Sequence, residues 1–228
     1  MAHRLGLLIF PDFQILDAAG PIAAFEIAGR YGQGAYAIET LALDGGAMRS
    51  SSGVTLGASV ADAGVAFDTL MIAGGDGARG ASHDLATLDF VRRAAARSGR
   101  VASVCSGAFV LAAAGLLDGR RATTHWSRTD DFARRFPQVR MEPDRIFVRD
   151  GRVWTSAGIT AGIDLSLAMI AEDLGEEIAR RTARQLVVYR RRPGGQSQYS
   201  ALLELERPES RFGALLVWAR ERLAEPLG

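Results

Sequence analysis

Cys105 is the single cysteine of the 228-residue chain, and it stands at the junction of two contrasting patterns. Residues 101–104 form a short β-branched run typical of a buried strand, whereas Ser106 and Gly107 open an apolar stretch expected to be helical. A nucleophile at such a strand-to-helix turn, a nucleophile elbow, is held above the sheet. The helix N-terminus lowers a thiol pKa, which predicts faster alkylation at pH 7 than for a free cysteine. A lone cysteine is often a small buried hydrophobe, but this pattern favours a site residue, either binding or catalytic.

Asp17 is the acidic side chain expected beside Cys105. It opens a predicted helix, and a purely structural role would be to cap that helix. With a thiolate nearby, one of the two negative groups should stay protonated, because like charges disfavour joint ionisation. We therefore expect a neutral Asp17 that donates a hydrogen bond to the sulfur.

His125 follows the cysteine unit by one loop, which indicates a side chain that lines the site. The alternative is a structural histidine, the commoner role of a lone one. The chain has three histidines, and they lack metal-ligand spacing, so we predict neither a metal site nor a cofactor.

Gly74, Gly75 and Asp76 form a turn after a predicted strand. The glycines can point backbone N–H groups at an oxyanion beside the sulfur, as can the N–H groups of Ser106 and Gly107. The alternative is simple turn chemistry. The glycines lack both the lysine of a nucleotide loop and a dinucleotide-binding fingerprint.

Strands alternate with helices along the first 190 residues, which predicts an α/β fold: a parallel sheet in a three-layer sandwich with helices on both faces. Ligands in such sheets bind at the carboxyl ends of the strands, where these candidate residues lie. The predicted strands are residues 5–10, 36–43, 68–73, 101–104 and 121–124, with a short hairpin or an edge excursion at 45–60 and a hairpin at 146–156. The predicted helices are residues 17–29, 82–97, 107–118, 127–136, 163–174 and 176–189, with Pro21 in the first turn of the first helix and Ser127 as a cap.

The chain changes character after residue 190. Residues 191–206 are polar and broken by proline and glycine, which predicts a linker. Within residues 207–228, a C-terminal extension, the pattern predicts an amphipathic helix over about residues 211–223. The first domain or a second subunit could cover its apolar face, or the face could stay exposed. We expect it to pack against a second copy in a homodimer.

Composition bounds the function. Hydrophobic residues make up 48% of the chain and the net charge is +1, which suits a sizeable core and gives no general field toward nucleic acid or membranes. One cysteine fits a reducing compartment. With no targeting segment and no long apolar run, we expect a cytoplasmic protein without a membrane partner.

These motifs together resemble the ThiJ/PfpI superfamily, whose fold is flavodoxin-like and similar to class I glutamine amidotransferases. Two departures exclude activities known in that superfamily. Proteases carry histidine where this chain has Ser106, and glutaminases carry a His and a Glu late in the chain, where residues 158–162 stand here. The resemblance rests on residues 10–12, 16–21, 73–75, 103–107, 113–117, 121–126 and 157–164.

Two branches of the superfamily share this pattern. Resemblance to isocyanide hydratase would make Cys105 the nucleophile and Asp17 its acid/base partner in a hydro-lyase that converts an isonitrile to an N-formamide. Residues 185–189 and 192–200 look more like the sensor domain of AraC-type transcriptional regulators, with residues 207–228 a remnant of the helix-turn-helix domain. That resemblance implies a small nitrogenous ligand, such as an amine, a betaine or an amino-acid derivative, with Thr160 among its contacts. DNA would be read only by a C-terminal domain that this chain lacks.

Overall fold

A single mixed sheet organises the part of the chain described by a computed structural model, residues 2–189 with Arg192, Gly195, Gln196 and Trp218. Its eight strands lie in the order β3-β4-β2-β1-β5-β6-β10-β9, and β7 pairs with β8 in a separate ribbon. The six inner strands run parallel, while β3 and β9 pair antiparallel at the two edges. The strands are β1 (His3–Leu8), β2 (Tyr36–Ala42), β3 (Gly46–Arg49), β4 (Thr55–Val60), β5 (Thr69–Ile72), β6 (Arg100–Val104), β7 (Arg121–Ala122), β8 (Arg140–Met141), β9 (Phe147–Asp150) and β10 (Val153–Ser156).

Helices cover both faces of the sheet. One group of helices packs together as α1, α6 and α7, and another as α2, α3 and α4. Because both faces are covered, β5 and β6 are buried along their whole length, and their apolar runs follow from that burial. The predicted α/β parallel-sheet sandwich is confirmed. The helices are α1 (Ile15–Tyr31), α2 (Ala78–Ala81), α3 (Leu85–Arg97), α4 (Gly107–Ala113), α5 (Thr129–Arg135), α6 (Ala161–Leu174) and α7 (Glu176–Gln185).

The hairpin predictions are also confirmed. Strands β3 and β4 pair antiparallel within residues 45–60. Strands β9 and β10 do so within residues 146–156, with Gly151 at positive φ in the turn.

Several predicted helix boundaries are wrong. The helix predicted over residues 176–189 ends at Gln185, and Val187 beyond it has φ +57°. Pro21 lies in the second turn of α1, which begins at Ile15. Asp84 starts α3, since its carboxylate accepts from the Thr87 N–H at 2.9 Å, and the four-residue α2 precedes it. Gly115, at φ +77°, ends α4 well before residue 118.

Two smaller predictions around residues 121–136 are also corrected. Ser127 lies inside a 3-10 turn, Trp126–Arg128, and α5 begins after it without a side-chain cap. The predicted strand at 121–124 is only two residues long and pairs with β8 rather than joining the main sheet.

A buried ion pair fixes the edge of the sheet opposite the strands' carboxyl ends. Arg100 on β6 donates to both carboxylate oxygens of Asp173 on α6, at 2.8 and 2.5 Å. The Tyr36 hydroxyl donates to the same carboxylate at 2.8 Å. These bonds join the sheet to α6, because breaking one partner would leave a charge buried alone.

The predicted linker and C-terminal helix, residues 191–228, lie outside the described residues apart from Arg192, Gly195, Gln196 and Trp218. Among the described residues, none of the helices combines the length and the apolar character needed to cross a membrane.

Candidate functional site

Cys105 occupies the sharp turn between β6 and α4. Its φ is +55°, in the left-handed region that non-glycine residues rarely adopt. Its neighbours fix that conformation: the Cys105 N–H donates to the carbonyl of Ser156 at 3.0 Å, and its carbonyl accepts from the Thr124 hydroxyl at 2.8 Å. Strain of this kind persists where the surroundings over-determine it, which is typical of functional sites. The predicted nucleophile-elbow geometry is therefore present.

Two glycines allow the neighbouring loops to approach the cysteine. A Cβ at Gly74 would lie 2.6 Å from Asp17 Oδ2 and 2.7 Å from Cys105 Cβ. A Cβ at Gly158, which has φ +99°, would overlap Cys105 itself. The carboxyl ends of β1, β5, β6 and β10 meet here because these strands are parallel neighbours.

Asp17 is fully buried beneath the cysteine. Its Oδ1 accepts from the Ile159 N–H at 2.8 Å, while Oδ2 is buried without a hydrogen bond of ordinary geometry. Burial raises the pKa of this carboxyl to about 6, and the N–H groups of Ile159 and Gly74 and the Cys105 thiol oppose a larger rise. Asp17 is therefore ionised at pH 7 and protonated in mild acid.

Burial, followed by the charge of Asp17, raises the pKa of the Cys105 thiol to about 12, against a smaller lowering by the Ser106 N–H. The predicted lowering of this pKa is wrong, because the cost of burying a thiolate exceeds what the start of α4 supplies. One proton is shared by the pair, as expected. At pH 7 it resides on sulfur, so the thiol donates toward Asp17, the reverse of the predicted direction.

Most backbone donors predicted to stabilise an oxyanion are engaged. The Gly75 N–H donates to Ser106 Oγ at 2.9 Å, and the Ser106 hydroxyl donates back to the Gly75 carbonyl at 2.8 Å. The Gly74 N–H points at the Asp17 carboxylate and the Ser106 N–H at the Cys105 sulfur, and each lowers the pKa of the group that it faces. Gly107 is buried against the carbonyls of Ile72 and Ala73.

A small cavity of about 190 Å³ opens over the sulfur. A larger cavity of about 450 Å³ lies elsewhere, against α2 and the carboxyl end of β1, but it contains none of the predicted site residues. The smaller one is the better candidate because polar groups converge in it beside a strained cysteine. It is lined by Gln14, Ser51, Gly75, Asp76, Cys105, Ser106, His125, Ser127, Arg128 and Ile159.

The sequence pattern of the DJ-1/PfpI family matches residues 3–172, three quarters of the chain. The chain belongs to the DJ-1/PfpI family. Isonitrile hydratase of Pseudomonas putida is 38% identical over 190 residues, which cover 82% of this chain and 78% of the hydratase. The HTH-type transcriptional regulator CdhR of Pseudomonas aeruginosa is 32% identical over 195 residues, covering 85% of this chain but only 57% of the regulator. Among solved structures, a ThiJ/PfpI family protein from Pseudomonas syringae aligns with a TM-score of 0.74 at 29% identity, over 90% of this chain and 86% of that chain.

In this DJ-1/PfpI domain, five of the nine predicted site residues line the cavity. Asp17, Gly74 and Gly107 are buried behind its wall and position the residues that line it. Thr160 lies outside the cavity, with an exposed side chain that accepts from Arg192 at 2.9 Å. The five lining residues are Gly75, Asp76, Cys105, Ser106 and His125.

Several lining residues had no signal in the sequence. Ser51 is brought to the site by the β3–β4 excursion, where its N–H donates to the Phe13 carbonyl at 3.0 Å. Gln14 and Ile159 lie close in the sequence to two predicted site residues, Asp17 and Thr160. They line the cavity because they belong to the turns that hold those residues.

His125 is held as a neutral ring. Its Nδ1 accepts from the Ser127 N–H at 3.3 Å and lies 2.8 Å from the Ser127 hydroxyl. Burial and the charge of Arg128 lower the pKa of His125, which favours the neutral form. With Nδ1 used as an acceptor, the ring proton belongs on Nε2.

Replacing Ser106 with alanine is expected to lower the free energy of unfolding by about 1–2 kcal/mol, because the Gly75 N–H and C=O lose their shared partner. Ser127→Ala, at an exposed position in the same cavity wall, is the matched control and should change stability by less. Urea unfolding followed by circular dichroism measures both. Equal losses in the two variants would show that the Ser106–Gly75 pair adds no specific stability.

Proposed function

We propose that this domain recognises a small nitrogenous metabolite in the Cys105 cavity and serves as the sensing part of an AraC-type transcriptional regulator. The observation that carries the proposal is the state of the site at neutral pH. The thiol is protonated and buried, and most of the neighbouring backbone donors are already engaged. Such a site is better suited to recognition than to nucleophilic attack, which requires a thiolate.

The cavity has the polar groups that such a ligand would need. The Gln14 amide and the Nε2 proton of His125 can bind neutral or anionic groups. Asp76 and Arg128 also line the cavity, 3.8 Å apart. The Asp76 carboxylate could bind an amino group of the ligand, and the Arg128 guanidinium could bind a carboxylate. Amines, betaines and amino-acid derivatives carry these groups.

DNA recognition would belong to another part of a longer regulator. Support comes from CdhR, since 85% of this chain accounts for only 57% of that protein. In this proposal the sensing domain acts as a homodimer in the cytoplasm, and DNA is a partner only through the separate domain.

A second candidate, cysteine-dependent isonitrile hydration, is favoured by the Asp17–Cys105 pair and by the match over 78% of the hydratase. Cys105 Sγ would add to the terminal carbon of the isonitrile while its proton moves to that carbon, giving a thioimidate. Water would then add to the same carbon, with Asp17 taking and returning the proton, and cleavage of the C–S bond would release the N-formamide and the thiol. The atoms balance as isonitrile plus water.

One set of measurements separates the two functions. A panel of small amines, betaines and amino-acid derivatives is screened for binding, and cyclohexyl isocyanide is tested as a substrate with the N-formamide followed by NMR. For a sensor, a cognate metabolite at a hundred times its Kd should raise Tm by about 5–10 °C. Cys105→Ser should retain most of that shift, and no formamide should form.

The opposite outcome identifies an enzyme. Multiple turnovers of the isonitrile by the wild-type domain, lost in Cys105→Ser, would overturn the sensing proposal. If no metabolite of the panel binds and no isonitrile is converted, both functions are contradicted.

A further inference from the structure

Gln196, beyond the last helix of the domain, is held in a pocket of carbonyl groups. Gln196 is only 3% exposed, and its backbone N–H donates to the Asp144 carbonyl at 2.8 Å. The side-chain Nε2 lies 3.0 Å from the carbonyls of Thr124 and Pro143 and 2.9 Å from that of Arg145. The amide oxygen Oε1 is buried and has no hydrogen-bond partner among the residues that the structure describes. The pocket thus selects a donor and leaves the acceptor of the same amide unsatisfied.

Arg192 binds a second point on the domain. Its guanidinium donates to both carboxylate oxygens of Asp164 through Nε, at 3.0 and 2.9 Å, and its NH2 group makes a further contact with Oδ2. The same NH2 group donates to the Thr160 hydroxyl at 2.9 Å. Asp164 lies in the first turn of α6, so this contact fixes the start of that helix.

Both anchoring points lie one residue away from the Cys105 cavity. Thr124 precedes His125, and the Thr124 hydroxyl donates to the Cys105 carbonyl at 2.8 Å. Thr160 follows Ile159, which lines the cavity and whose N–H holds Asp17. Residues far along the chain are therefore bound to the backs of two cavity walls.

We propose that Arg192 and Gln196 form a latch whose attachment competes with occupation of the Cys105 cavity. The inference rests on the proposed sensing function and names how that site would signal. An occupant that pushes His125 and Ile159 outward also displaces Thr124 and Thr160, the acceptors that the latch uses. Filling the cavity then releases the segment that follows the domain.

The structure supplies the two features that such a switch requires. The Gln196 attachment is weak for a buried group, because its Oε1, which has no partner among the described residues, offsets part of what the donors of the same amide contribute. Local release of a short segment costs far less than global unfolding. Coupling between two sites is reciprocal, so loss of the latch must also favour entry into the cavity.

The experiment uses iodoacetamide as the probe, because Cys105 is the single cysteine and the reagent must enter the cavity to reach it. Gln196→Ala should speed alkylation of Cys105 at pH 8 about fivefold or more. Gln196→Glu should speed it further, because a carboxylate would face the carbonyl oxygens. Gln138→Ala, an exposed glutamine on the same domain, is the matched control and should react like wild type.

Two measurements separate the latch from general loss of stability. Tyr36→Phe removes a hydrogen bond at the opposite edge of the sheet and should leave the alkylation rate unchanged. In the reciprocal experiment, alkylated wild-type protein should be cut by trypsin after Arg190 and Arg191 about fivefold faster than unmodified protein.

Equal alkylation rates in wild type and Gln196→Ala, or tryptic cleavage unaffected by alkylation, would overturn the latch. Neither measurement requires a metabolite. If no metabolite binds but the alkylation and cleavage rates change as expected, the sensing proposal is contradicted and the latch is supported. If a metabolite binds but those rates do not change, the sensing proposal is supported and the latch is contradicted.

Discussion

Iodoacetamide is expected to alkylate Cys105 about fiftyfold more slowly at pH 8 than it alkylates a free cysteine. With the pKa of the thiol raised to about 12, the thiolate fraction is about two-thousandfold below that of a free thiol of pKa about 8.5. The more basic thiolate is intrinsically more nucleophilic, which recovers about fortyfold. The loss of thiolate is the larger effect, so the strained elbow does not by itself make a reactive cysteine.

The pH profile gives a sharper measurement than one rate. The alkylation rate of Cys105 should still be rising at pH 10, where a free cysteine has levelled off. Asp17→Asn should speed the reaction and shift the profile to lower pH, because the charge of Asp17 is the second cause of the raised pKa after burial. Asp118→Asn, at an exposed position, serves as the control. A plateau near pH 8 in the wild type would contradict the thiol state described above.

The sequence predicted the sheet well, because its signals are local and strong. Buried apolar runs such as β5 and β6 and the turn glycine Gly151 carry their structure in a few adjacent residues. The helix boundaries were less predictable. Asp84 and Gly115 act as terminators through one hydrogen bond and one positive φ, and neither interrupts the apolar pattern around it.

The site was predictable in position but not in electrostatics. Cys105, Gly75 and His125 were placed correctly because parallel strands bring their carboxyl ends to one edge of the sheet. The direction of the thiol pKa shift depends on how completely Asp17 and Cys105 are buried, which no local pattern reveals. Thr160 was misplaced for a similar reason, since only the fold shows that the chain turns at Ile159 and directs the next side chain outward toward Arg192.

Asp17→Asn is expected to change how the stability of the whole domain depends on pH. Folding raises the pKa of Asp17 from 3.8 to about 6, chiefly through burial. Between these values the native state binds more protons than the unfolded chain, so the free energy of unfolding falls as the pH rises. The stabilisation is complete below pH 4 and lost above pH 6, and two pKa units correspond to about 3 kcal/mol.

Asparagine keeps the shape of the side chain and removes its titration, so the variant should lack this fall. Measured by urea unfolding, the stability of Asp17→Asn relative to wild type should increase by about 2.5 kcal/mol between pH 4 and pH 7. Using the change between two pH values removes any constant cost of placing an amide next to the Gly74 N–H. Asp118→Asn, which replaces an exposed carboxyl, should track the wild type within about 0.5 kcal/mol. If Asp17→Asn also tracks the wild type, the carboxyl has the same pKa in the folded and unfolded chain, and burial does not raise the pKa of Asp17.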